Sequence, residues 1–172
     1  KTWIEGYANE IGRLAQGHAN TSITGTNTIH FIKHTDLPPG SKATYVRIVV
    51  DIRPQKAEPH RVCYTVGGNI IEYSGNVSTP TADITTAKLV INSVLLTPAA
   101  TYSCFDISNF YLNTPMGRYK YMPIQYDQIP DTIKRQYNLD DKVFYDKKGK
   151  AHVYVEICKG MYGLPHAGRI AN

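Results

Sequence analysis

Asp106 is a carboxylate placed where a carboxylate is costly. Residues 100 to 107 are apolar enough to read as a strand, with Tyr102, Cys104 and Phe105 just ahead of the acid. A carboxylate buried there without a partner is expensive, so it needs solvent, a capping role or a cation. As an N-cap it would serve the turn Ile107 to Asn113. As a ligand it suits a hard cation such as Mg²⁺, which takes carboxylate oxygens and keeps substrate phosphates in its shell. Tyr111 follows five residues later. Its ring can pack into the core or wall a pocket beside the carboxylate. Arg53 and Arg61 flank a stretch that reads as a hairpin turn. They can be solvated surface charges, or they can clamp a triphosphate through charge-assisted hydrogen bonds. His166 stands in a Pro-His-Ala-Gly turn, with no partner at the spacing of a Ser/His/Asp or Cys/His site and no GxSxG nearby. Gly67-Gly68 is followed by no Lys-Ser/Thr, so it is not a phosphate-binding loop. Taken alone, these residues allow a metal-and-phosphate site and leave each plainer role open.

The elements that must position them follow from pattern. Trp3, Ile4, Tyr7, Ala8, Ile11, Leu14 and Ala15 recur at helical spacing, with Thr2 and Glu5 as a capping box and Gly17 as a stop, so residues 3 to 16 should be a helix. Residues 44 to 53 and 61 to 66 should pair as a hairpin with basic ends, Val62, Tyr64 and Val66 sharing one face. Residues 84 to 97 leave few polar positions and predict a buried helix that Pro98 stops. Residues 127 to 138 look helical. Residues 143 to 145 and 151 to 157 predict a second hairpin turned by Lys147-Lys148-Gly149-Lys150, with Val153, Val155 and Ile157 facing one way. Hairpins and helices without βαβ periodicity make the fold class α+β.

Composition sets the outer limits. The chain has 172 residues, 42% hydrophobic and 19% charged, which is enough apolar material for a core. The formal net charge is +5, which permits a polyanionic partner without requiring one. No apolar run is long enough to span a bilayer, and the first residues lack the layout of a signal peptide. Three widely spaced cysteines, Cys63, Cys104 and Cys158, suit a reducing compartment rather than a disulfide framework or a zinc site. The expectation is a cytoplasmic, non-secreted protein with no membrane partner.

The same residues occur in a familiar order. Phe105-Asp106-Ile107-Ser108-Asn109-Phe110-Tyr111-Leu112-Asn113-Thr114-Pro115 resembles the first catalytic motif of copia-type retrotransposon reverse transcriptases, roughly D-V-K-N-A-F-L-N-G. Tyr119-Lys120-Tyr121-Met122-Pro123 resembles the family's following VYM-x-x-P. The run from Val153 to Ala167, with Lys159-Gly160-Met161-Tyr162-Gly163-Leu164, resembles its V-x-x-L-x-K-x-L-Y-G-L-K-Q-A. Ser78-Thr79-Pro80 before the apolar helix resembles its F-S-P-V, and residues 44 to 68 resemble its basic fingers hairpin.

The resemblance implies an RNA-directed DNA polymerase domain from a Pol polyprotein, built as the fingers and start of the palm of a right-hand polymerase. Residues 1 to 98 would be fingers, 99 to 117 the first palm strand and motif, 118 to 160 a return to the fingers and 161 to 172 a re-entry into the palm. Two Mg²⁺ ions, template-primer and a deoxynucleoside triphosphate would be its cofactor and partners, beside the remainder of the polyprotein. By position in the motifs, Asp106 and the backbone carbonyl of Ile107 would hold metal. Tyr111 would lie under the sugar and exclude a 2′-hydroxyl. Arg53 and Arg61 would meet the triphosphate, and His166 stands where the family has a nucleotide-contacting glutamine. The family's Tyr-x-Asp-Asp carboxylates have no counterpart up to Asn172, so the chain by itself is expected not to polymerise. His166, Cys63 and Phe110 also depart from the family's usual residues. A degenerate, non-catalytic nucleic-acid-binding module of the same fold is the alternative.

Overall fold

A computed structural model describes residues 2–79 and 82–171. Pro80 and the side chain of Thr2 lie outside the described residues, and with them part of the Ser78-Thr79-Pro80 motif and of the expected capping box. The chain folds as helices α1 (Thr2–Leu14), α2 (Ile84–Leu96), α3 (Asp131–Gln136) and α4 (Ala167–Ala171) with strands β1 (Ile29–Ile32), β2 (Val46–Ile52), β3 (His60–Val66), β4 (Pro115–Gln125), β5 (Phe144–Tyr145) and β6 (Ala151–Lys159). This mixture of helix and antiparallel sheet is the expected α+β class.

β6 is the centre of the larger sheet. Its alternation puts Val153, Val155 and Ile157 on one fully buried face, as the sequence pattern predicts. β1 pairs with one edge, from Ile29↔Ile157 to Ile32↔Tyr154. β4 pairs with the other, from Lys120↔Ile157 to Gln125↔His152. β5 continues the β1 edge through Phe144↔His152. The inner face is completed by Ile29, Phe31, Met122 and Ile124, all buried. Each such side chain removed from water stabilises the fold by roughly 1.5–3 kcal/mol before entropy is counted.

β2 and β3 form a separate antiparallel pair, in register from Val46↔Val66 to Ile52↔His60. Val62, Tyr64 and Val66 turn inward and are buried, as their alternation predicts. α1 lies against β3 and buries Ala8, Ile11 and Leu14 in the same core. Tyr7 meets Tyr64 edge to face at 6.1 Å, and Trp3 meets His60 at 4.8 Å. The tail is fastened to this hairpin. The Val66 amide donates to the Tyr162 carbonyl at 2.8 Å, and Gly163 follows at φ +92°. A Cβ on Gly163 would lie 2.1 Å from the Val66 carbonyl oxygen, so both the dihedral and the space require glycine.

Two expectations fail. α2 forms, capped by the Asp83 carboxylate accepting from the Thr86 amide at 2.7 Å, but it is not buried: Leu95 is 77% and Leu96 83% exposed. Its apolar residues cover most of its surface, broken by a polar side of Thr85, Lys88 and Asn92, and they stay exposed. Residues 100 to 107 are not a strand. They run without regular structure or pairing, with Phe105 83% exposed. Neither β1 nor β4 was anticipated as a strand. β4 carries Pro115, Gly117 and Pro123, which break the usual pattern. It tolerates Pro123 because its far edge carries only the isolated Ala43↔Tyr121 bridge.

Candidate functional site

The closed end of the β2–β3 hairpin carries Arg53 and Arg61 into one place. Asp51 stands opposite Arg61 in the register, and the Arg53 amide donates to the Pro59 carbonyl at 2.7 Å, which draws the loop between them tight. Both arginines line a cleft of about 360 Å³ between α1, the hairpin loop and two distant segments, represented by Asn109 with Leu112 and by Tyr162. The hairpin ends, the motif segment and the glycine-rich tail therefore meet in one concavity.

The motif segment is held there by its own turn. Asn109 adopts a left-handed φ of 56°, which asparagine tolerates better than most residues. A 3-10 turn over Tyr111–Asn113 follows, and Leu112 is buried with its carbonyl accepting from the Thr28 hydroxyl at 3.0 Å. The Tyr111 ring meets the Tyr162 ring edge to face at 6.0 Å. A Cβ on Gly160 would lie 2.6 Å from the Tyr111 carbonyl oxygen, so motif and tail touch backbone to backbone.

The electrostatics separate the cleft's three arginines. Arg13 is already engaged, donating to Glu10 at 2.6 Å and to Glu58 at 3.0 Å. Glu10 is buried, and burial raises its carboxyl above the usual range although the Arg13 charge and hydrogen bond pull it down. Arg61 donates through Nε to the Cys63 thiol at 2.9 Å, a weak acceptor, and its charge acts on the buried Glu10 carboxyl without forming a close ion pair. Arg53 Nε is buried with no hydrogen-bond partner among the described residues. A desolvated guanidinium N–H without an acceptor is costly, and an anion entering the cleft would relieve that cost. Burial also raises the Tyr162 phenol, with the nearby Arg61 charge opposing the shift.

The sequence-derived residues thus divide into three groups. Arg53 and Arg61 come together, and Tyr111 joins them indirectly by packing on Tyr162. Asp106 and Ile107 do not line the cleft. Both are exposed on the segment entering it, and Asp106 makes no hydrogen bond or ion pair among the described residues. Solvent, the plainest of the options open to that carboxylate, is the one it takes. His166 lies apart, buried and stacked flat on Tyr73. Among the described residues no three His, Cys, Asp or Glu side chains assemble as a metal site requires, so the residues present do not amount to a two-cation centre. Sequence reasoning missed Glu10, Arg13 and Glu58, the ion-pair wall of the cleft. The i,i+3 spacing of Glu10 and Arg13 on α1 was the available signal.

No protein-family model, curated protein or solved structure matches the chain. No helix among the described residues is long and apolar enough to cross a membrane.

Proposed function

We propose that the chain is the fingers and first palm motif of a copia-type reverse transcriptase, and that the cleft takes the triphosphate of an incoming deoxynucleotide. One observation carries the reading. Two arginines that form no close ion pair among the described residues, Arg53 and Arg61, line the same concavity as Asn109 and Tyr162, which belong to the two motifs that most resemble that family. Charge-assisted hydrogen bonds from a planar guanidinium suit phosphate oxygens, and the Arg13–Glu10–Glu58 network ties the hairpin loop to α1 across the cleft. In the complete enzyme Asp106 would share Mg²⁺ with carboxylates that this sequence does not carry. The unpacked apolar surface of α2 and Phe105 would lie under the rest of the palm.

The reading is tested by supplying what the sequence lacks. Fused to a palm segment bearing a Tyr-x-Asp-Asp turn, the chain should extend a primer on an RNA template in Mg²⁺, and Asp106→Ala should abolish extension. Extension that survives Asp106→Ala would remove Asp106 from the site. Template-primer binding by a fusion that never extends would favour the non-catalytic module instead.

A further inference from the structure

The ring of His166 is covered by another ring of the same chain. Tyr73 stacks on it at 4.4 Å between centroids with the planes 7° apart. His166 is 7% exposed and Tyr73 is 38% exposed, so the tyrosine is the cover and the histidine the floor. His166 Nδ1 is buried and has no hydrogen-bond partner among the described residues. A buried polar atom left unpaired is costly.

The cover belongs to a short strap. Residues 71 to 79 have no regular secondary structure and run over the tail. Gly75 lets the strap fold tightly: a Cβ there would lie 2.7 Å from the Tyr73 ring, so the ring is held between the Gly75 backbone and His166. The strap touches the tail again at Thr79, whose Oγ1 lies 2.6 Å from where a Cβ on Gly168 would stand. The strap is also held at its start by Ile71 against the core and by the exposed Lys42–Glu72 ion pair at 2.6 Å. Residues 72 to 78 are exposed and without regular pairing, and such a segment opens at low cost.

We propose that Tyr73 is an internal stand-in for a planar ligand ring, and that the strap over residues 71 to 79 must lift before a heteroaromatic ring can stack on His166. The identity of that ring as a nucleobase rests on the polymerase reading; the strap does not. Closed, the strap keeps the histidine face from other rings. Open, it exposes a flat ring face, the arrangement that takes a base by stacking.

The test compares wild type with Tyr73→Ala and Tyr73→Phe, each first checked for an unchanged thermal transition. Diethyl pyrocarbonate modification of His166, read by peptide mass, should be slow in wild type and Tyr73→Phe and faster in Tyr73→Ala. The loss of one stacked pair corresponds to about 2- to 10-fold. Gly75→Ala, which pushes the ring off its seat by a different route, should accelerate modification in the same direction. Equal modification rates in wild type and Tyr73→Ala, or opening by Tyr73→Phe, would overturn the strap. Binding of dTTP is measured on the same proteins, and tighter binding by Tyr73→Ala supports both ideas. An unmasked His166 in a protein that takes up no dTTP counts against the nucleotide site and leaves the strap standing.

Discussion

α1 and α2 are both 13-residue apolar helices, yet one is core and the other is surface. α1 has one apolar face, carrying Ala8, Ile11 and Leu14, and β3 offers a matching face in Val62, Tyr64 and Val66. α2 is apolar over most of its surface, outside Thr85, Lys88 and Asn92, and buries no residue. An apolar stripe needs one neighbour, whereas a helix that is apolar over most of its surface needs neighbours on most sides. Periodicity therefore predicts that a helix forms, but its burial depends on what surrounds it. The same holds for the two apolar stretches after residue 100. β4 finds the β6 edge, while residues 100 to 107 find no strand to pair with.

Substitution can break this contrast directly. Ile11→Ala or Ile157→Ala should lower unfolding free energy by about 2–5 kcal/mol, because each empties a fully buried site. The matched changes Leu95→Ala and Leu96→Ala on α2 should stay within about 0.5 kcal/mol. Urea titration of the four variants decides it, and equal losses in both helices would mean that α2 is covered in solution. Next in size is Gly163→Ala, which joins an unfavourable dihedral to a backbone collision with Val66. It should cost at least ~1–2 kcal/mol by the left-handed penalty alone, seen as a lower denaturation midpoint.

A smaller effect comes from His166. Burial, reinforced by the Lys120 charge, lowers its pKa from the ordinary 6.5. The unfolded chain then binds the proton more readily than the folded one. The contribution to stability is present above pH 6.5 and is lost as pH falls through the lowered folded value. Thermal midpoints measured from pH 7.5 downward should fall more steeply in wild type than in His166→Gln, and parallel curves would contradict the assignment.

Much of the molecule was legible because its signals are local. The alternation of Val153, Val155 and Ile157, the turn lysines before it and the face of α1 need only a few residues of sequence to read. Pairing partners are not local. β4 was obscured by Pro115 and Gly117, which sit where its register with β6 shifts between Pro115 and Lys120, and by Pro123, acceptable because the far edge is almost free. The cleft was half legible. Hairpin geometry places Arg53 and Arg61 together with Glu58 between them, but nothing in that loop shows that Glu10 and Arg13 of α1 stand across from it. Asp106 was read from an expected strand that does not form, so its exposure follows from a missing pairing partner rather than from its own residue type.

The central claim is that Arg53 and Arg61 hold phosphate in the α1–hairpin cleft. Calorimetric titration of dTTP into wild type, Arg53→Ala, Arg61→Ala and, as a control on the β5–β6 turn, Lys148→Ala tests it most directly. The account predicts binding by wild type and Lys148→Ala, and a loss of about 10- to 100-fold for each arginine variant, the range of one charge-assisted hydrogen bond. Undiminished binding by both arginine variants, or none by wild type, would contradict it.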